Sequence, residues 1–406
     1  MLLKKSQLID GQQIQITGSK SISNRLLILA QLFNNIDILN LSNSQDTQLL
    51  KTALNSANNL IDIHHAGTAM RFLTSYFSIQ AGRTVTLTGS SRMKQRPIKD
   101  LVAALQSLGA EIDYLEEYGF PPLKITGQNL SKNTVEIPAN ISSQFITSLM
   151  LIGSKLQHGL HINLVGEITS RPYLEMTLSI LRSIGIEASI KGQIISIDHH
   201  SGSLRTEYYE VESDWSSASY FYALAAIGRK TIHLKSFKTL SLQGDSHIKE
   251  LYWKHFGIDT LSDFAENSIT LMPDVHYKKP ELISLDMNDC PDIAQTLCVT
   301  ASVLKIPFYV SGLQTLKVKE TDRLVALQNE LRKIGVETEI EEDSIQSISF
   351  SDVEELPVIE TYNDHRMAMA FAPVALDRDI EILDEQVVEK SYPEFWLDFA
   401  KVTRKI

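Results

Sequence analysis

Four times along the chain an amphipathic, leucine-rich stretch stops at a glycine and gives way at once to an apolar residue, an acid and a strand-like run. The copies are Leu105-Gln-Ser-Leu-Gly109-Ala-Glu-Ile112, Leu181-Arg-Ser-Ile-Gly185-Ile-Glu-Ala188, Trp253-Lys-His-Phe-Gly257-Ile-Asp-Thr260 and Leu331-Arg-Lys-Ile-Gly335-Val-Glu-Thr338. Glycine just past a helix takes the left-handed conformation without a steric penalty, so each copy predicts helix, C-cap, strand. The glycines are 76, 72 and 78 residues apart. Such a period is too long for a solenoid unit and suits a small α+β unit of two helices with several strands. A weaker first copy lies at residues 53–58, only 51 residues before Gly109, which predicts a truncated first unit. A final helix, Phe395 to Val402, is placed to close a sixth.

At 406 residues the chain exceeds one ordinary core, so two domains are expected. The second half begins near Glu212 by the number of repeats on either side. An apolar fraction of 43% and a charged fraction of 21% are those expected of a soluble globular protein, and no apolar run approaches membrane-spanning length. Met1 to Lys5 run into polar residues rather than an apolar signal core, and a cytoplasmic chain is expected. Cys290 and Cys298 form no disulfide framework and no zinc spacing. A formal charge of −11 argues against a general nucleic-acid binder. It leaves room for a small anion, because a local group of Lys and Arg outweighs acids beyond a screening length of about 8 Å.

Gly18-Ser19-Lys20-Ser21-Ile22-Ser23-Asn24-Arg25 leads into an apolar run. Small hydroxyls and cations at a helix N-terminus make an anion site, because unpaired N–H groups and the positive dipole end coincide there. Arg25 adds a planar fork and Lys20 a point charge. A nucleotide P-loop is excluded, since Ser19 separates the glycine from the lysine. The same theme returns elsewhere. Gly67, in His65-Ala66-Gly67-Thr68, permits close backbone approach at a helix start, and Arg92, Lys94 and Arg96 precede Pro97. Ser142, Ser143 and Gln144 open another helix, where capping explains one serine but not the trio. Ser170 precedes Arg171, Pro172 and Tyr173 at a further start.

In the second half, Asp214 reads as an N-cap, and Asp292 after Pro291 sits in a first helical turn. The run Lys319-Glu320-Thr321-Asp322-Arg323 puts Lys319 and Arg323 four apart, hence on one helix face, and a salt-bridged solvent face is the ordinary explanation. Asn363-Asp364-His365-Arg366 places another arginine at a helix start, and Lys390-Ser391-Tyr392-Pro393 adds a cation just before one more.

Taken in order, residues 18–25, 92–97, 142–144, 319–323 and 363–369 closely resemble the 5-enolpyruvylshikimate-3-phosphate synthases of the enolpyruvyl transferase family. The likeness runs from about Gln15 to Phe399. It implies an α+β fold of two similar lobes, each of three βαβαββ units about a pseudo-threefold axis, with a ligand cleft between them. The chain would cross twice between lobes, giving one lobe of residues 1–16 plus 214–406 and another of 17–213.

The resemblance also implies substrates and roles. Lys20, Ser21, Arg25, Ser142, Ser143, Gln144, Ser170, Tyr173, Asp292 and Lys319 would hold 3-phosphoshikimate. Lys20, Gly67, Arg96, Gln144, Arg323, Arg366 and Lys390 would hold phosphoenolpyruvate. Asp292 would be the base, with Glu320 the first candidate acid and Lys390 the second, and Lys20 would join the catalytic set. No metal or organic cofactor is implied. The chain departs from many relatives at His65, often Asn, at Phe72, often Pro, and at Thr315, often Asn.

The sister activity on UDP-N-acetylglucosamine uses a lid cysteine, and residues 92–97 hold none. A non-catalytic binding protein on this fold would be expected to have lost Asp292, Glu320 or Lys390, and all stand in place. An RNA-end-processing enzyme of related architecture would want a basic surface. A monomer without nucleic-acid or membrane partners is expected.

Overall fold

The computed structural model describes residues 1–33, 36–140, 142–206 and 208–406. The chain divides into one unit of Met1–Gly18 with Glu212–Ile406 and another of Ser19–Val211.

The unit of residues 19–211 repeats one topology. Strand Leu60–Asp62 leads through helix Gly67–Ser78 to strand Thr84–Thr88, then through helix Lys99–Leu108 to the antiparallel pair Glu111–Tyr114 and Leu123–Thr126. The first two strands are parallel, the fourth lies beside the second, and the third takes the edge. Thr134–Pro138, Ser143–Gly153, Leu160–Val165, Arg171–Ser183, Ala188–Lys191 and Ile194–Ile197 build the same arrangement again. Alternate residues point inward, as a one-sided sheet requires: Val135 and Ile137 pair in register with Ile162 and Leu164, and all four are buried.

The third copy is incomplete. Asp37–Leu39 pairs in parallel with Tyr208–Glu210, with helix Lys20–Phe33 before it and helix Gln45–Asn55 after it. No hairpin follows; the chain passes from Ser56, an extended cap without glycine, into strand Leu60–Asp62. The short spacing before Gly109 is that missing hairpin.

The other unit holds two full copies as well. One runs from Gln12–Gln15 to Trp215–Gly228, Ile232–Lys235, Ile248–Phe256, Ile258–Asp263 and Ser268–Pro273. The second runs from Ile283–Asp286 through Ala294–Val303, Phe308–Ser311, Arg323–Lys333, Val336–Ile340 and Ile345–Phe350. In the third, Val358–Ile359 and Ile380–Ile382 are parallel, and the N-terminal Leu2–Leu3 lies antiparallel beside the latter, where a fourth strand belongs. The cap glycines all have positive φ, from 61° at Gly257 to 107° at Gly109.

Within each unit the helix between the first two strands of each copy turns inward, and the three such helices touch pairwise. They are Lys20–Phe33, Gly67–Ser78 and Ser143–Gly153 in one unit, and Trp215–Gly228, Ala294–Val303 and His365–Phe371 in the other. Gly67–Ser78 and Trp215–Gly228 are buried on almost every side, as a helix wrapped by its neighbours must be. The N-termini of these inner helices carry about half of the candidate site residues singled out in the sequence.

Candidate functional site

In the unit of residues 19–211 the inner helices present hydroxyls, an amide and cations. Lys20 Nζ lies 3.3 Å from Asp46 Oδ2, and His65 Nε2 lies 3.6 Å from the other oxygen of that buried carboxylate. Gly67 opens its helix directly beneath Arg96: a Cβ there would sit 2.5 Å from Arg96 Nη1. Only glycine lets that guanidinium rest on the helix head. Arg71 fastens the same loop, donating from Nη1 to the Gly67 carbonyl at 3.1 Å and from Nη2 to the Pro97 carbonyl at 3.4 Å.

Ser142 caps its helix by accepting from Gln144 N at 3.4 Å, Ser143 is the first helical residue, and Gln144 Nε2 donates to Thr68 Oγ1 at 3.2 Å. Two inner helix starts are thus joined side chain to side chain. Arg25, 3% exposed, gives Nε to Thr177 Oγ1 at 2.8 Å and Nη1 to the Ser21 carbonyl at 2.7 Å. Its Nη2 reaches Thr147 Oγ1 and the Tyr173 carbonyl, both at 3.4 Å. Burial lowers its pKa to about 10, with the Tyr173 phenol working the other way. Ser170 holds a left-handed φ of 53° just before helix Arg171–Ser183, and its carbonyl accepts from Tyr173 N at 3.1 Å. A non-glycine residue there stores about 1–3 kcal/mol of strain.

The other unit gathers four cations and three carboxylates into one network. Asp292, in a 3-10 turn leading to helix Ala294–Val303, accepts from Arg323 Nη1 at 2.9 Å. Lys319 Nζ lies 3.4 Å from its Oδ1 and Arg366 Nη2 3.3 Å from its Oδ2. Glu320 stands between Arg323 Nη2 at 2.8 Å and Lys390 Nζ at 3.1 Å. Asp364 caps the third inner helix by accepting from Arg366 N at 2.9 Å and binds Arg323 Nε at 2.6 Å. Arg323 therefore serves three carboxylates from a side chain 2% exposed.

Burial works against ionising Asp292, but the summed field of Arg366, Lys319 and Arg323 overrides it and holds the carboxyl well below the ordinary range. Burial pushes the Lys319 ammonium down, with Asp292 partly offsetting it. For Arg323, burial is outweighed by Asp364, Glu320 and Asp292, which hold it firmly protonated.

One expectation is corrected here. Residues 319–323 do not form a solvent-facing helical stripe: a 3-10 turn ends at Val318, and the helix begins at Arg323. Asp322 sets that start by accepting from the backbone N of Leu324 at 3.1 Å and of Val325 at 3.3 Å. A cap that strong fixes the first turn after the ionic run, not before it.

The model of the family described as EPSP synthase (3-phosphoshikimate 1-carboxyvinyltransferase) matches residues 50–399. A Bacteroides fragilis protein named 3-phosphoshikimate 1-carboxyvinyltransferase is 45% identical over 394 residues, 96% of this chain and 94% of its own. The chain belongs to the EPSP synthase family. A Haemophilus influenzae member of the same name is 35% identical over 431 residues, covering 97% of this chain and 96% of that one. An EPSP synthase structure from Acinetobacter baumannii shares the fold at a TM-score of 0.73 and 22% identity, over 97% of each chain.

Within this family framework, sequence reasoning passed over Asp46, Thr68, Ser216 and Asp245 as site neighbours. Asp46 and Asp245 stand in first turns, the places where an acid ordinarily steadies a helix, and nothing local to them reports burial. Among the described residues no three His, Cys, Asp or Glu side chains converge as a metal site requires, and no helix is long and apolar enough to cross a membrane.

Proposed function

We propose that this EPSP synthase family member transfers the enolpyruvyl group of phosphoenolpyruvate to the 5-hydroxyl of 3-phosphoshikimate with Asp292 as base and Glu320 as acid. The observation that carries this division of labour is the pairing within residues 292–390. Asp292 lies in the field of Arg366, Lys319 and Arg323, while Glu320 is held separately between Arg323 and Lys390. Two carboxyls in different fields are what an acid and a base require.

The 5-hydroxyl proton passes to Asp292 as the oxygen attacks C2 of phosphoenolpyruvate, and C3 takes a proton from Glu320, with Lys390 the second candidate. The tetrahedral adduct then returns a C3 proton to the ionised Glu320 and expels phosphate, which leaves with the proton that Asp292 took up, restoring the double bond and the starting protonation. In the resting network Asp292 is a weak base. Substrate anions that draw Arg366 and Lys319 toward themselves return basicity to it.

The remaining residues bind. Ser21, Arg25, Ser142, Ser143, Ser170 and Tyr173 serve the phosphate and hydroxyls of 3-phosphoshikimate, with Lys319 and Lys20. Gly67, Arg96, Gln144, Arg323, Arg366 and Lys390 serve phosphoenolpyruvate. Helix N-termini and arginine forks are the natural holders of such groups. The working unit is a single chain; a dimer mass in sedimentation at micromolar concentration contradicts that.

Phosphate release from purified protein tests the reading. It should require both substrates, fail with UDP-N-acetylglucosamine as acceptor, and collapse in Asp292→Ala and Lys20→Met. Release with the nucleotide sugar, or none from well-folded protein with either acceptor, overturns it.

A further inference from the structure

A fourth carboxylate adjoins the network of residues 292–390. Asp245, in the 3-10 turn Gly244–His247, is 3% exposed. Its Oδ2 accepts the Ser216 hydroxyl, and the Ser216 oxygen accepts from Arg366 Nη2 at 3.4 Å. Its Oδ1 meets no hydrogen-bond donor among the described residues.

The charged and titratable groups around it come from several elements. The head of helix Trp215–Gly228 contributes the capping Asp214, the turn before Ala294–Val303 contributes Cys290 and Asp292, and helix His365–Phe371 contributes Arg366. On its own turn His247 pairs with Glu250 at 3.3 Å. A buried carboxylate with a bare oxygen is costly when ionised. Burial first, and Asp292 second, push the carboxyl up to about 6.

We propose that Asp245 is a positioning residue for the anion held at Arg366, fixing the guanidinium through the Ser216 hydroxyl and taking a proton from solvent when the anion binds. The inference rests on the reading that Arg366 holds phosphoenolpyruvate. Arg366 Nη1 donates to the Asp292 carbonyl at 2.8 Å, and Ser216 meets Nη2, so the guanidinium is held from two elements. An arriving carboxylate shares that cation and adds negative charge beside Asp245. Protonating Asp245 removes the repulsion and leaves the Ser216 bridge in place.

The experiment measures KM for phosphoenolpyruvate and kcat from pH 5.5 to 8.5 in wild type, Asp245→Asn, Asp245→Ala and Ser216→Ala. Dividing wild type by Asp245→Asn at each pH cancels the substrate's own ionisation. The KM ratio should rise about tenfold per pH unit above 6, while the kcat ratio stays within about threefold. Asp245→Ala should raise KM above that of Asp245→Asn at every pH, and Ser216→Ala should raise it above wild type.

A flat KM ratio overturns the proton uptake. A KM in folded Asp245→Ala equal to that of Asp245→Asn overturns the positioning role. Wild type inactive with both substrates is a separate result, scored first, that removes the reading beneath.

Discussion

The two units set three inner helices together in the same way and arm their N-termini oppositely. Residues 19–211 offer Lys20, Gly67 with Arg96 laid upon it, and the serines and amide of 142–144, with hydroxyls and backbone N–H groups predominating. Residues 212–406 place an aspartate at each start, Asp214, Asp292 and Asp364, and surround two of them with Arg323, Arg366 and Lys319. One set of helix ends offers donors and cations to anions. The other carries its own carboxylates, already paired with cations, and on the proposed roles adds proton transfer to anion binding. A shared scaffold thus fixes position, and the residues at the helix starts fix chemistry.

The sharpest way to break this contrast is Arg323→Ala. It takes the guanidinium from the fully buried Asp364 and one of the cations from Asp292 and Glu320, which keep Lys319, Arg366 and Lys390, and losing the partner of a buried charge costs roughly 3–5 kcal/mol. Urea unfolding should show that loss, and Arg323→Lys should not restore it, because an ammonium cannot serve three carboxylates as a fork does. The anion-receiving side should answer differently. In Gly67→Ala the new Cβ displaces Arg96, the end of a flexible side chain, so the protein should fold normally. KM for phosphoenolpyruvate should rise roughly 10–100-fold, the worth of one charge-assisted contact.

Acid titration sharpens the comparison within a single unit. Asp292 is held below its ordinary range, so the unfolded chain takes up its proton first. The stability it contributes is present above that range and is lost as pH falls through it. Asp245 has the opposite sign: with its native value pushed up to about 6 from 3.8, the folded state binds the proton more tightly, and stability falls as pH rises between those values. Thermal melts against pH should lose their acid limb in Asp292→Asn and their decline from about pH 4 to 6 in Asp245→Asn.

The smallest effect compares equivalent helix caps. At Gly109 an added Cβ meets nothing within 4 Å, so Gly109→Ala should cost only the left-handed conformation, about 1–2 kcal/mol. At Gly257 the Cβ would stand 2.4 Å from the Tyr277 ring, and Gly257→Ala should melt lower. Equal melting temperatures would show that the ring simply moves away.

The repeat was legible because its signal is local: a helix ending in left-handed glycine needs no knowledge of neighbours. The loss of one hairpin was visible too, as a short spacing before Gly109. Helix starts could be read from Ser142, Asp214 and Pro291 for the same reason. Burial could not. Arg323 belongs to a charged run that looks solvated, and only its three carboxylate partners, brought from residues 292, 320 and 364, explain why it is enclosed. Asp46 and Asp245 were hidden likewise, since a first-turn acid looks the same whether it faces water or a cation from another helix.

The most direct measurement is phosphate release as a function of substrate concentration in Asp292→Asn and Arg96→Ala, with folding checked by circular dichroism. A base removed from the proton-moving side should lower kcat by roughly 10²–10⁴-fold, a deficit that saturating substrate cannot repair. A cation removed from the receiving side should raise KM and regain kcat within about tenfold at saturation. If Asp292→Asn recovers at saturation, or Arg96→Ala does not, the division of labour between the two sets of helix ends is wrong.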